Sequence, residues 1–199
     1  MIGKRLFDLF FSFFSILILL IPGLILALII VIESRGGAFY RQVRVGRNEK
    51  LFRLMKFRTM FSGSDSKGLL TVGSTDSRVT GFGRFLRKSK MDELPQMLNI
   101  FAGHMSFVGP RPEVPKYVAM YSDEQKNVLR VRPGLTDYAS LEYINESDLL
   151  AKQSEPERFY IETVMPAKLS LNLKYIKEMS CVTDMKIIFR TLFKIGRRR

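Results

Sequence analysis

The sequence predicts an α+β, predominantly helical fold: an N-terminal re-entrant membrane helix hairpin followed by a small interfacial domain of amphipathic helices and a short β-hairpin. Three observations carry this. Residues 9–32 contain no charged side chain. Beyond them the chain reads mainly as amphipathic helices, with one pair of short basic segments of strand character. Apolar and charged residues are also segregated: 46% of the 199 residues are hydrophobic, yet 32 Lys or Arg against 19 Asp or Glu give a net charge of +13. The boundary is predicted after residue 35, making 1–35 a membrane anchor and 36–199 one polar domain. A chain of this length has room for one globular unit and little more.

Within the apolar run only Ser12, Ser15, Pro22 and Gly23 interrupt the apolar side chains. Its length suffices for a straight helix to span the roughly 30 Å hydrocarbon core. A cleavable signal peptide fits less well, because residues 25–32 offer no small-residue cleavage site. A single spanning anchor is the plain reading of hydropathy. Pro22 argues for a break, since it removes a backbone donor in mid-run and crowds the preceding turn. Lys4 and Arg5 before the run, and Arg35, Arg41, Arg44 and Arg47 after it, ask for both flanks on the cytoplasmic side. Two helices over 9–21 and 23–32, roughly 20 Å and 15 Å long, satisfy both demands without crossing the bilayer.

The strong positive charge calls for a polyanionic partner: nucleic acid, anionic phospholipid or phosphorylated substrates. The lone cysteine, Cys181, permits no internal disulfide, and with the lone histidine, His104, it cannot build a zinc site. Any metal therefore sits on oxygen ligands, which favours magnesium or calcium.

In the polar domain, residues 38–45 and 50–57 flank Gly46-Arg47-Asn48 and read as a hairpin. Residues 62–77, rich in Ser, Gly and Asp, read as a surface loop. A helix is predicted to begin near Asp92, with Pro95 in its first turn and Leu94, Met97, Leu98 and Phe101 as its core stripe. Near the C-terminus Thr183 is the predicted cap of a helix. Met185, Ile188, Phe189 and Leu192 form one face; Lys186, Arg190 and Lys194 form the other. With Arg197-Arg198-Arg199 it reads equally as lying on an anionic membrane or as packed on a core.

The densest chemical information lies between Arg87 and Pro112. Asp92 and Glu93 are adjacent carboxylates in a cationic stretch, expected at a helix N-terminus that keeps a carboxylate ionised and attracts phosphate. One such carboxylate can attack phosphorus and its neighbour can hold Mg²⁺ against diphosphate oxygens. The plainer reading is two acids complementing a helix dipole. Gly109-Pro110-Arg111-Pro112 tips the balance: it fixes an arginine between two prolines, ready to grip phosphate. Lys56, Arg58, Arg87 and Arg132 complete the candidate phosphate-binding set, each otherwise a solvated charge.

These motifs together resemble the small monotopic phosphoglycosyl transferases, the bacterial initiating sugar transferases. The resemblance covers most of the chain: Lys4-Arg5-Leu6-Phe7-Asp8, Lys56-Phe57-Arg58-Thr59-Met60, Gly83-Arg84-Phe85-Leu86-Arg87, Asp92-Glu93-Leu94-Pro95-Gln96, Met105-Ser106-Phe107-Val108-Gly109-Pro110-Arg111-Pro112 and Arg132-Pro133-Gly134-Leu135-Thr136, in order. It implies a catalytic domain over 36–199, with Asp92 as nucleophile and Glu93 as magnesium ligand (manganese as substitute). It also implies Arg87 and Arg111 near the phosphates, and residues 56–60, Thr59 among them, along the same cleft. The implied substrates are a UDP-sugar and a polyprenyl phosphate, at the cytoplasmic face of the bacterial inner membrane. The implied product opens a surface glycoconjugate.

Three departures stand out. Ile21 occupies the place where the family often has a serine beside the hairpin proline, Pro22. His104 replaces an aspartate of a Gly-Asp-Met-Ser stretch, and reads as a surface variation. Thr136-Asp137-Tyr138-Ala139-Ser140 replaces a Thr-Gly-Trp-Ala-Gln stretch; this loop is expected to contact the nucleotide-sugar, and Pro110 and Pro112 are counted with it. The competing classes are a membrane-tethered nucleic-acid-binding protein and a lipid-docking scaffold. No nucleic-acid-binding signature is visible, and either reading leaves Asp92 and Glu93 idle.

Overall fold

The computed structural model describes residues 2–64, 70, 73 and 76–197. Most of the predicted loop over 62–77, and the last two arginines of the tail, lie outside the described residues. Helix α1 (Ile2–Glu33) leads into β1 (Phe39–Val45) and β2 (Leu51–Phe57), an antiparallel hairpin pairing Val45 with Leu51 and Phe39 with Phe57. The predicted hairpin is thus met to within one residue at each strand start. Its turn, Arg47–Glu49, puts Asn48 at φ 53°, a left-handed conformation that asparagine tolerates well.

Where the sequence predicts two helices broken at Pro22, α1 is a single helix with Pro22 inside it. A proline deletes one donor and pushes back the carbonyl of Ile18, which deforms a helix locally without unwinding the turns on either side. Of its residues only Asp8, Ser12, Leu26 and Ile30 are buried, while Ile18, Ile21, Leu24 and Ile25 are exposed. The helix is long and apolar enough to cross a membrane by length and composition.

Helix α1 nevertheless touches the polar domain along its whole length. Lys4 pairs with Asp184, and the Arg5 guanidinium donates to the carbonyls of Ile100 (2.7 Å) and Phe101 (2.8 Å). Asp8 accepts from Ser106 Oγ (3.0 Å) and Phe107 N (3.1 Å). Further along, Ile16 and Leu19 pack on the cluster of Phe52, Met97 and Ile100, and Leu26 and Ile30 pack on Phe57 and Leu86. At the far end the Arg58 guanidinium donates to the carbonyls of Ile30 (3.3 Å), Ser34 (2.7 Å) and Arg35 (2.6 Å).

After α2 (Gly81–Lys88) comes a 3-10 turn, Met91–Glu93, and then α3 (Gln96–Phe101). The regular helix therefore starts four residues later than the predicted Asp92, because Pro95 serves as its N-cap and not as a residue of its first turn. Its buried face is Gln96, Met97, Asn99 and Ile100; Leu98 and Phe101 point outward, and Phe101 meets Phe13 of α1. Asn99 explains the rotation: its amide accepts from Met55 N (2.9 Å) and donates to the Arg53 carbonyl (2.8 Å), so a polar residue claims an inward position.

The next pairing has no counterpart in the sequence reading. Strands β3 (Ser106–Val108) and β4 (Gly134–Thr136) run parallel, Ser106 opposite Gly134 and Val108 opposite Thr136. The two chains cross so closely that a Cβ on Gly134 would lie 2.1 Å from Gly109 N, and one on Gly109 would lie 2.5 Å from the Arg132 carbonyl. Between them lie α4 (Pro115–Val118) and a 3-10 segment, Gln125–Arg130. The chain ends in α5 (Tyr138–Glu142), α6 (Glu146–Leu150), α7 (Pro156–Phe159), a π turn Tyr160–Val164, α8 (Met165–Glu178) and α9 (Cys181–Gly196).

Helix α9 is capped by Ser180, whose Oγ accepts from Thr183 N at 3.1 Å, not by Thr183. It buries Ile187 and Asp184 against the domain. Phe189 is 63% exposed and Leu192 62%, so much of the predicted apolar stripe faces outward.

Candidate active site

A cleft of about 1430 Å³ opens between the β1–β2 hairpin, α2, the Met91–Glu93 turn, the Gly109–Pro112 loop and helices α5, α8 and α9. Its floor is set by backbone geometry. Thr80 caps α2, accepting from Gly83 N at 2.9 Å, and Thr80 N donates to the Thr59 carbonyl at 3.0 Å. A Cβ on Gly83 would sit 2.2 Å from that carbonyl, so only glycine lets α2 seat here. Leu86, fully buried against α1, fixes the rotation of α2, and Arg87 lines the cleft with its Nε on Thr59 Oγ1 (2.8 Å).

Lys90, at φ 59°, turns the chain from α2 into the Met91–Glu93 turn and places both carboxylates against the cleft. Their surroundings differ. Glu93 receives Lys56 Nζ on Oε1 at 2.8 Å and takes the Arg111 guanidinium on both oxygens. Asp92 is 7% exposed; Lys56 stands 3.9 Å from its Oδ2, and its Oδ1 is buried with no hydrogen-bond partner among the described residues. Burial raises the Glu93 carboxyl, but Arg111 and Lys56 more than offset this and hold it well below the usual carboxylate range. Burial pushes the Asp92 carboxyl up; Lys56 opposes that and the Glu93 charge adds to it. Glu93 reciprocally holds the Arg111 guanidinium above its ordinary value.

The Gly109–Pro112 loop is clamped from both sides. Gly109 N donates to the Thr136 carbonyl (3.0 Å) and Gly134 N to the Pro110 carbonyl (2.9 Å). Asp137, wholly buried, accepts from Arg111 N at 3.1 Å with one oxygen and from Ser140 N at 2.6 Å with the other. Arg44 donates to the Pro112 carbonyl (2.9 Å) and to Glu113 (3.0 Å).

The predicted site residues therefore divide. Asp92, Glu93, Lys56, Arg87, Arg111, Thr59, Pro112 and Thr136 line the cleft. Arg58 also borders it, but its terminal nitrogens are committed to the end of α1 and to Ser62 Oγ (2.9 Å), so geometry makes it a fastener and not a free phosphate ligand. Arg132 does not line the cleft; its Nε donates to the Gly103 carbonyl at 2.9 Å. Pro110 and Asp137 stand behind the wall. Tyr138 turns away from the cleft, its hydroxyl on Glu178 (3.1 Å) and its ring edge on Tyr175. His104 is exposed, stacked on Phe52. Sequence reasoning passed over Lys90 and Asn172 as cleft residues. Asn172 carried a signal: a polar residue between Leu169 and Tyr175 on the inward stripe of a helix.

Among the described residues no cluster of three or more His, Cys, Asp or Glu is present, so protein ligands alone make no cage for a metal. Magnesium needs only one or two carboxylates when phosphate oxygens complete its shell. Glu93 suits that role through Oε2, which only Arg111 reaches among the described residues, at 3.5 Å, and the residues present fit the ion.

Residues 1–198 match the family described as bacterial sugar transferase. The chain belongs to the bacterial sugar transferase family. It is 36% identical over 197 residues to the uncharacterized sugar transferase EpsL of Bacillus subtilis, covering 98% of this chain and 88% of that protein. It is 34% identical to the exopolysaccharide production protein PSS of Rhizobium leguminosarum, covering 95% and 92%. Against the UDP-glucose:undecaprenyl-phosphate glucose-1-phosphate transferase of Klebsiella pneumoniae it is 36% identical over 98% of this chain, but spans only 40% of that longer protein. Every motif that lines the cleft of this sugar transferase lies within the matched residues.

Proposed function

We propose that this chain transfers a sugar 1-phosphate from a UDP-sugar to a polyprenyl phosphate, undecaprenyl phosphate in bacteria, and releases UMP. The observation that carries the reading is the asymmetry of the dyad: Glu93 is paired with Arg111 and Lys56, while Asp92, its neighbour, presents a buried oxygen with no hydrogen-bond partner among the described residues. An oxygen left open in a cation-lined cleft is what an attacking group requires.

The reaction divides into two displacements. An Asp92 carboxylate oxygen bonds to the phosphorus that bears the sugar, the bond to the UMP oxygen breaks, and UMP leaves with that electron pair. A polyprenyl phosphate oxygen then attacks the same phosphorus. The aspartyl oxygen–phosphorus bond breaks, which restores the carboxylate and yields the polyprenyl diphosphate sugar. Arg111, already oriented by Asp137 and its prolines, stabilises charge on the phosphoryl oxygens in both steps, with Lys56 and Arg87 beside it. Mg²⁺, or Mn²⁺ in its place, would be held by Glu93 and, when bound, supplies neutralisation of the diphosphate charge.

The proposed setting is the cytoplasmic face of the inner membrane, entered from one side only. Both ends of α1 are pinned to the same domain, Lys4 and Arg5 at one end and Ser34 and Arg35 at the other. A helix so held does not carry its ends to opposite faces of a bilayer, which supports a monotopic, re-entrant anchor over a spanning one. The outward apolar face of α9, interleaved with Lys186, Arg190 and Lys194, supports contact with anionic phospholipid. A stoichiometric burst of UMP on mixing enzyme, Mg²⁺ and UDP-sugar without lipid tests the mechanism. Asp92→Asn abolishes the burst on this reading; a burst that survives that substitution refutes it.

A further inference from the structure

We infer that the wall formed by Ser140 of α5 and Asn172 of α8 is the subsite for the uracil base of the nucleotide-sugar, and so sets nucleotide selectivity. The inference rests on the transferase reading above and names where one part of its substrate lies. Both residues line the same cleft as Asp92 and Arg111. Asn172 is 4% exposed, and both its Oδ1 and Ser140 Oγ are buried with no hydrogen-bond partner among the described residues. Groups left so are costly in the free protein and are relieved by a ligand that supplies the missing bonds.

The position suits the base. One Asp137 carboxylate holds both Arg111 N and Ser140 N, so the phosphate grip and this wall are a single rigid unit. Three other polar groups of the cleft are already paired. Lys168 pairs with Glu146 at 2.7 Å, Thr136 Oγ1 with Thr191 Oγ1 at 2.7 Å, and the Tyr160 hydroxyl with Glu113. The wall thus offers no spare cation for a second phosphate. Met165 and Leu169 add apolar surface in the same stretch.

The hydrogen-bond inventory selects between the two neutral ends of the substrate. Uracil is flat, with one ring N–H donor between two carbonyl acceptors. Asn172 Oδ1 accepts that N–H, and the Ser140 hydroxyl donates to a carbonyl. A hexose brings several hydroxyls that each donate and accept, more than two open groups in an apolar wall can satisfy.

Titration calorimetry on the full chain in detergent tests this, with UMP and ribose 5-phosphate as probes that differ only by the base and the sugar carbon bearing it. The wild type is expected to bind UMP at least about 30-fold more tightly than ribose 5-phosphate. Asn172→Leu is expected to weaken UMP about tenfold and Ser140→Ala about threefold, with ribose 5-phosphate unchanged in both. If Asn172→Leu does not fold, Ser140→Ala carries the same comparison. Equal weakening of both probes makes the residues structural and overturns the subsite. Unchanged UMP binding with an altered KM for the UDP-sugar assigns the wall to the sugar and also overturns it. UMP release from a panel of UDP-sugars is measured alongside. Base discrimination without release breaks the transferase reading alone; release without base discrimination breaks the subsite alone.

Discussion

The two ends of the cleft are built by opposite means. At the dyad end, charged groups meet and neutralise one another: Lys56 and Arg111 close on Glu93, and Lys90 stands near both acids. At the α5–α8 wall, two neutral groups, Ser140 Oγ and Asn172 Oδ1, are buried and left open among the described residues. The difference follows from the cost of burial. An unpaired buried charge costs several kcal/mol, so the charged end must be nearly complete before substrate arrives. An unpaired hydroxyl or amide costs about 1–3 kcal/mol, which a fold can sustain until a ligand relieves it. Asp92 is the exception at the charged end, and the proposed mechanism uses that exception by making it the reacting group.

The largest expected effect tests that exception. Asp92→Asn should lower turnover by about 10³-fold or more, measured as UMP release. Its thermal stability in detergent should hold or rise, because a neutral amide replaces a carboxylate that burial disfavours. Arg111→Lys keeps the charge and loses the two-point grip, and should cost about 10²-fold in turnover. Near-normal activity in that variant would mean that Arg111 only neutralises Glu93.

Smaller effects separate fasteners from the cleft. Arg58→Ala removes bonds to three carbonyls at the end of α1 and should lower stability by about 2–3 kcal/mol. Turnover per folded molecule should stay within about threefold of wild type, since the residue grips backbone and not substrate. Arg132→Ala should cost about 1 kcal/mol of stability and leave the KM for the UDP-sugar unchanged. A raised KM in either variant, with stability intact, would return that arginine to the phosphate set.

These contrasts also show what a sequence can disclose. The β1–β2 hairpin is legible because apolar and basic residues flank a Gly-Arg-Asn turn, all local features. The β3–β4 pair is not: its strands are three residues each, and their pairing depends on Gly109 and Gly134 crossing without side chains. The dyad is legible as chemistry, because two acids in a cationic stretch demand an account. Which cations serve it is not legible, since Arg58, Arg111 and Arg132 differ only in what folding brings to them: carbonyls for two, a carboxylate for the third. For a related reason periodicity misplaced part of the face of α3 and left that of α9 open between membrane and core. An apolar stripe need not turn inward: Leu98, Phe101, Phe189 and Leu192 follow helical periodicity and still face out.

The central claim is that the open carboxylate of Asp92, not the ion-paired Glu93, bonds to phosphorus. Intact-mass analysis of the enzyme given Mg²⁺ and UDP-sugar, with lipid withheld, tests it most directly. The account predicts one added sugar phosphate per chain, mapped by digestion to Asp92 and discharged when polyprenyl phosphate is supplied. An adduct on Glu93, or lipid-linked product formed by an enzyme that never carries an adduct, would contradict it.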